Sequence, residues 1–319
     1  MTNKVNNITI IINYFYFLLA LFLSVLVSFK AFGLDLDYNN YFNSFEFSYD
    51  NKEPFIRFIE VGIKWLNLDF NAFLFLITLI SLSLKFYFFR KYSSLPILTV
   101  LCYLITFFWL HEYTQIRASL AIGFSLIFVA KTIEGKYKQS FIFLIFSVLS
   151  HYSAIINIFI YSIIKLKNTY LIILFLIATS LIFLIDINSF ENILKINSNI
   201  LKLYTENHGP KEIFKVFNLN IISIIFTLLA CFLFDRKFNL PNQKYIIILF
   251  FSLLIYFFFA KLELMTISFR LLEFYLPMIL VLLTNKICIH KNKSVWIIIL
   301  ILFTSTQSYN LLTNVVQLK

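Results

Sequence analysis

Apolar runs of about twenty residues recur along the whole chain, separated by short polar links, and this repetition limits what the chain can fold into. An α-helix rises about 1.5 Å per residue, so some 20 apolar residues cover the ~30 Å hydrocarbon core of a bilayer. The runs are 8–29, 70–89, 95–110, 114–130, 140–164, 169–187, 217–234, 244–260, 269–285 and 294–312. Hydrophobic residues make up 60% of the 319 residues and charged residues only 13%, whereas about a quarter of a soluble domain is charged. Too little polar surface remains to cover a water-facing exterior. The pattern predicts an all-α polytopic integral membrane protein, a single transmembrane domain over 1–319 with about 10–11 transmembrane or re-entrant helices. The first run follows Lys4, is too long for a signal-peptide core and has no small-residue cleavage site after it, so it is expected to stay as the first span.

The net charge of +11 does not indicate a nucleic-acid partner, because the basic residues sit in short clusters between apolar runs and not on one soluble face. Clusters of that kind mark cytoplasmic loops. They also bear on the run 140–164, which Ser150-His151-Tyr152-Ser153 interrupts at its centre. One long helix would send every later loop to the other side and leave Lys and Arg almost evenly divided. Two short segments that enter and return keep Lys165, Lys167, Arg236, Lys237, Lys244, Lys286, Lys291 and Lys293 on the same inner side as Lys4, Lys85, Arg90, Lys91, Lys131, Lys136 and Lys138. They also leave only Glu134 and Asp235 inside, of 16 acidic residues. The positive-inside rule favours the returning pair, with a cytoplasmic N-terminus and His151 at the apex. Such a break is tolerated only where protein covers it or it lines a wet cavity. Cys102, Cys231 and Cys288 are far apart and suggest neither a disulfide framework nor a metal site. There is no HExxH, no Walker loop and no GxGxxG, so neither metal nor cofactor is expected.

On this map the outer segments are 30–69, 188–216 and 261–268. The first holds Asp35, Asp37, Tyr38, Tyr41, Glu53, Pro54 and Arg57, and its stretch 55–66 has the apolar spacing of an amphipathic helix at the outer interface. The second is Asn-rich and carries the turn His208-Gly209-Pro210. Ionisable residues inside or at the ends of spans are costly and mark functional sites. Glu112, Gln115 and Arg117 cluster at the outer end of one span, followed by Ala118, Ser119, Ala121 and Gly123, which let a neighbouring helix approach closely. Arg270 and Glu273 lie one turn apart on one helix face, followed by Tyr275. Each has a bland reading beside the functional one: a snorkelling Arg117, a structural Arg270–Glu273 pair, a core imidazole at His151, interface aromatics at Tyr38 and Tyr41. Two arginines at the outer leaflet suit an anionic head group such as a lipid pyrophosphate, since guanidinium stays charged when desolvated and binds phosphate oxygens in pairs.

Four stretches, in order, resemble the EpsG family of bacterial polysaccharide polymerases, which are Wzy-like O-antigen polymerases. They are Asp37-Tyr38-Asn39-Asn40-Tyr41, Glu53-Pro54-Phe55, Gln115-Ile116-Arg117-Ala118-Ser119-Leu120-Ala121, and His151-Tyr152-Ser153-Ala154. The resemblance covers roughly 30–160, with a weaker match at Arg270–Tyr275. Thr114 stands where the family has Asn, and Ser150 where it has a hydrophobic or aromatic residue. The resemblance implies a multi-pass protein of the bacterial cytoplasmic membrane. It would transfer a glycan from undecaprenyl pyrophosphate to a sugar hydroxyl of a second lipid-linked unit at the outer face. A flippase and a chain-length-regulating co-polymerase are the implied partners, beside membrane lipid. Arg117 and Arg270 would face the departing pyrophosphate. His151, or a carboxylate among Asp37, Glu53 and Glu112, would take the hydroxyl proton. Asp37, Tyr38, Tyr41, Glu53, Arg57, Gln115, Glu273 and Tyr275 would bind substrate. The competing classes are a flippase or exporter of lipid-linked glycan, whose inverted repeats are not evident, and a membrane acyltransferase, for which His151 alone is thin support.

Overall fold

A computed structural model describes residues 2–30, 36–47, 53–165, 218–233, 240–262 and 264–316. The expected span 169–187 and outer loop 188–216 lie outside the described residues. Every regular element among those described is helical: α1 (Thr2–Ser28), α2 (Leu36–Phe47), α3 (Pro54–Trp65), α4 (Phe70–Tyr92), α5 (Pro96–Thr106), a π-helical turn (Trp109–Thr114), α6 (Ile116–Ile133), α7 (Tyr137–Ser150), a 3-10 turn (Tyr152–Ile156), α8 (Asn157–Lys165), α9 (Leu219–Leu233), α10 (Leu240–Lys261), α11 (Met265–Glu273), α12 (Pro277–Ile289) and α13 (Lys293–Val316). They fall into two compact units, one of residues 1–161 and 274–319, the other of 162–273.

Local chemistry sets the helix ends. Asp69 caps α4, its carboxylate accepting from the Ala72 amide at 3.0 Å, and Arg90 and Lys91 meet the negative end of its dipole. Pro54 and Pro96 start α3 and α5, where the missing N–H costs nothing. The α6 helix stops at Gly135, whose φ of 74° is open to glycine at little cost. There the Lys136 amide reaches back to the Lys131 carbonyl at 2.9 Å.

In the first unit α6 and α12 are buried on all sides, so they form the interior of the bundle. Gly123 explains how α6 comes so close to α4. A Cβ there would lie 3.2 Å from the Leu84 Cβ and 3.3 Å from the Ser81 carbonyl oxygen. The surrounding helices turn apolar side chains outward, among them Phe15, Phe22, Leu101, Ile105, Phe141 and Ile301. Lipid is the solvent in which such a surface is stable. Phe70–Tyr92, Ile116–Ile133 and, in the second unit, Asn242–Lys261 are each long and apolar enough to cross a bilayer. The expected span 95–110 is shorter as a helix: α5 ends at Thr106, and the chain widens into the π-helical turn that carries His111 and Glu112 inward.

The α3 helix is apolar on two faces. Ile56, Ile59 and Ile63 join a core with Phe70, Phe73, Ile77 and Leu120, while Phe58 and Trp65 are 73% and 81% exposed. Its twelve residues reach only about 18 Å. That is too short to span a bilayer and suits a helix lying along an interface.

The run 140–164 is broken. The α7 helix ends at Ser150, and His151 takes extended angles, φ −160° and ψ 122°. After the 3-10 turn, α8 folds back. The rings of Tyr137 and Tyr161 are 6.2 Å apart, whereas a straight helix would separate them by roughly 36 Å. Buried side chains hold the apex. Asn157 donates to Ser125 at 2.8 Å and to Ser147 at 3.1 Å, and Tyr275 donates to Asn157 at 2.6 Å.

Because the segment returns, its two ends share a side. Single cysteines at Lys138 and Lys165, in a background lacking Cys102, Cys231 and Cys288, are expected to react with a membrane-impermeant maleimide from the same face. Labelling from opposite faces would overturn the hairpin.

Candidate active site

Three segments that are distant in sequence meet at one carboxylate. Glu53 occupies the position before α3 with extended angles, φ −60° and ψ 138°. A side chain there often turns back to cap its own helix. Glu53 makes no such cap. Its Oε2 accepts from Arg117 Nη1 at 2.8 Å, and its Oε1 lies 2.8 Å from His151 Nδ1. Pro54 sets the backbone direction of α3, Arg117 sits in the first turn of α6, and His151 is the hinge between α7 and α8. The Tyr41 ring of α2 covers the guanidinium at 5.2 Å, and the Phe274 ring lies nearly parallel to the imidazole at 6.4 Å.

Glu53 is 5% exposed. Burial alone would push its carboxyl up, but the hydrogen bond to His151 and the Arg117 charge outweigh it and hold the group below the usual carboxylate range. An ionised carboxylate only accepts, so the proton on this edge of His151 belongs to Nδ1. In the neutral ring Nε2 then carries the free lone pair. His151 Nε2 and Arg117 Nε are both buried without a hydrogen-bond partner in the chain. A carboxylate behind an imidazole fixes its tautomer and the direction of the far nitrogen. The site therefore offers one base and one cationic donor, each held through the same anion.

Of the residues singled out from sequence, Tyr41, Glu53, Arg117 and His151 come together. Glu112 lies elsewhere, at the centre of a sealed network. Its Oε1 accepts from Lys85 Nζ at 2.6 Å and Tyr103 OH at 2.9 Å, and its Oε2 from Ser119 Oγ at 2.6 Å. The Lys85 and Glu112 side chains are 0% and 1% exposed. Lys85 therefore does not belong with the inner-loop charges. It sits inside the bundle, drawn there by Glu112. Tyr38 is core, packed edge-on against Phe70 at 5.4 Å. Tyr275 is buried and its hydroxyl is committed to Asn157. Asp37 is half-buried in the first turn of α2, and Arg57 is exposed one turn after Glu53. Gln115 links the π-helical turn to α6, and its Oε1 is buried without a partner. Arg270 and Glu273 lie on α11 in the second unit, half-buried, with no ion pair between them. Sequence reasoning missed Phe274 and the role of Lys85. An isolated lysine four residues after Ser81 in an apolar run was the available signal for the latter.

An all-helical, multi-pass bundle that gathers a carboxylate, a guanidinium and an imidazole at one place is a membrane protein with a chemically equipped site. The chain belongs to the EpsG family, whose model matches residues 13–317. The match thus extends well beyond the stretch whose motifs carry the resemblance. Membership supports a role in exopolysaccharide polymerisation, a glycosyltransferase-like activity. No curated protein and no solved structure matches the chain.

Because the Glu53 carboxyl is held low in the fold, it stabilises the protein fully above its unfolded value and loses that contribution as pH falls through the folded one. Glu53→Gln is expected to destabilise by about 2 kcal/mol at neutral pH. The gap in Tm from the parent should narrow as pH drops below the ordinary carboxylate value of 4.5. A gap that stays constant down to about pH 3 would mean that Glu53 is not a paired carboxylate.

Proposed function

We propose that the protein is a Wzy-type glycosyltransferase that joins lipid-linked oligosaccharide units at the outer face of a bacterial cytoplasmic membrane. The donor is a glycan on undecaprenyl pyrophosphate and the acceptor is a sugar hydroxyl of a second lipid-linked unit. The observation that carries this reading is the Glu53 carboxylate held between Arg117 and His151, with one unpartnered nitrogen left on each.

In this scheme the acceptor oxygen attacks the anomeric carbon while the bond from that carbon to the phosphate oxygen breaks. The bonding pair leaves with the lipid pyrophosphate. His151 Nε2 takes the hydroxyl proton, and Glu53 stabilises the imidazolium that forms. Arg117 faces the growing charge on the leaving diphosphate, where a fixed donor in a water-poor site lowers the barrier. Glu53 holds the guanidinium through Nη1 and Tyr41 engages it as well, which leaves the buried, unpartnered Nε for the anion. Tyr41, stacked on Arg117, narrows the directions from which a head group approaches. Arg270 remains a candidate second cation on sequence grounds.

The test is a gene deletion complemented by single variants and read as a glycan ladder. Arg117→Ala is expected to slow chain extension by about 100-fold or more and His151→Ala by about 100- to 10,000-fold, with both proteins still inserted. Long chains should vanish while single repeat units remain. An unchanged ladder for Arg117→Ala would refute its role. Loss of all surface glycan, with units trapped inside, would point to a flippase.

A further inference from the structure

We propose that Lys85 is a positioning residue for Arg117, acting through Glu112 and Ser119; this rests on the catalytic role assigned to Arg117 above. Three hydrogen bonds close a ring among Lys85, Glu112 and Ser119, the last two of which flank the arginine in sequence. Lys85 Nζ donates to Glu112 Oε1 at 2.6 Å and to Ser119 Oγ at 2.5 Å, and Ser119 Oγ donates to Glu112 Oε2 at 2.6 Å. Glu112 lies on the π-helical turn and Ser119 in the first turn of α6. Arg117 stands between them, just after Gln115 breaks the helix with φ −95° and ψ 55°. Both flanks of the short segment that presents the guanidinium are therefore tied to one ammonium on α4. The third Lys85 donor goes to Ser81 at 3.1 Å, so the ammonium is fully satisfied.

The turn explains why such a brace is needed. Each residue of an α-helix advances the side chain by about 100°. One extra residue in a π-helical turn therefore re-aims everything that follows. π-Helical turns are rare and need outside support. Here Glu112 is held from α4, α5 and α6 at once, through Lys85 and Ser81, Tyr103, and Ser119. A buried ion pair is weak evidence of stabilisation, since an apolar pair of similar volume often serves as well. What this pair supplies instead is direction. It fixes the start of α6 so that Arg117 reaches Glu53 at 2.8 Å.

Removing one partner alone leaves a buried unpaired charge and risks misfolding, so the test uses Lys85→Met with Glu112→Gln, which removes both charges; the amide oxygen still accepts from Tyr103, and the amide NH2 donates to the Ser119 hydroxyl that Lys85 no longer occupies. The full-length protein is reconstituted in nanodiscs with a lipid-linked repeat unit. The double variant is expected to insert and to melt close to the parent. Its kcat should fall by about 100-fold, the scale of a misplacement of about 1 Å, with KM little changed. A second readout needs no activity: rotation about the Arg117 Cζ–Nε bond, followed by 15N NMR. In the parent the hydrogen bond from Nη1 to Glu53 should hold the guanidinium and slow that rotation. In the double variant, with Arg117 swung off Glu53, the rotation should speed up by about 10-fold. Parental kcat, or parental guanidinium rotation, in a folded double variant overturns the proposal. Parental protein that elongates nothing overturns the polymerase reading instead, and the guanidinium rotation then decides the role of Lys85 alone.

Discussion

A carboxylate that is nearly buried needs positive partners, and Glu53 has two, from segments 64 and 98 residues away. Much of the first unit is arranged to bring them there. Without the anion, Arg117 would be a largely desolvated guanidinium beside an imidazole, and neither group would keep its pose. Without the two donors, Glu53 would gain a proton and lose its hold on both. The interaction is thus mutual, and it ties the start of α3 to the start of α6 and to the hinge after α7. Because the carboxylate accepts on both oxygens, it orients the imidazole and the guanidinium toward a common anion while leaving one nitrogen of each unpaired.

The second polar centre differs in a way that separates support from chemistry. Lys85, Glu112, Ser81, Ser119 and Tyr103 satisfy one another within the protein, although both ring nitrogens of His111 in the same turn are buried without a partner. A fully satisfied network in an apolar interior rigidifies and specifies one packing. Around Glu53 the satisfaction is incomplete, and buried polar atoms without partners call for an explanation such as a ligand. Both centres act on α6, which is buried on all sides and pressed against α4 at Gly123. Small residues after Arg117 make that approach possible, so the sealed centre and the open one share a single rigid rod.

The fold was legible wherever burial in lipid writes itself as run length. The helices α4, α6, α10 and α13 lie where long apolar runs place them, and the polar break at Ser150-His151 marks the hinge because a continuous helix has no use for it. The site was legible in part, since Arg117 and His151 stood out as ionisable residues at the end and in the centre of apolar runs, and Glu53 through the Glu53-Pro54-Phe55 stretch of the family resemblance. Their meeting was not, because nothing local encodes a contact across 98 residues. Two assignments went astray for physical reasons. Lys85 lies five and six residues before Arg90 and Lys91 and so reads as one of a loop cluster, yet an opposite charge on the π-helical turn holds it inside. Glu112 and Arg117 are close in sequence, but the π-helical turn and the Gln115 break send them to different centres.

Tyr275, expected at the substrate, lies buried with its hydroxyl on Asn157, and that place explains how the hinge is tolerated. A helix interrupted at membrane depth exposes backbone groups that lipid cannot satisfy. Here the His151 amide still reaches the Ser147 carbonyl at 3.1 Å, and the Ala154 amide reaches the His151 carbonyl at 2.9 Å. Asn157 joins Ser125, Ser147 and the Tyr275 hydroxyl in one buried set. With the hinge backbone satisfied and Phe274 stacked on the ring, the His151 side chain is left with two distinguishable edges. Glu53 takes one of them. The other is the edge that a returning hairpin, unlike a straight span, presents at its apex, and this is why the break and the histidine belong together.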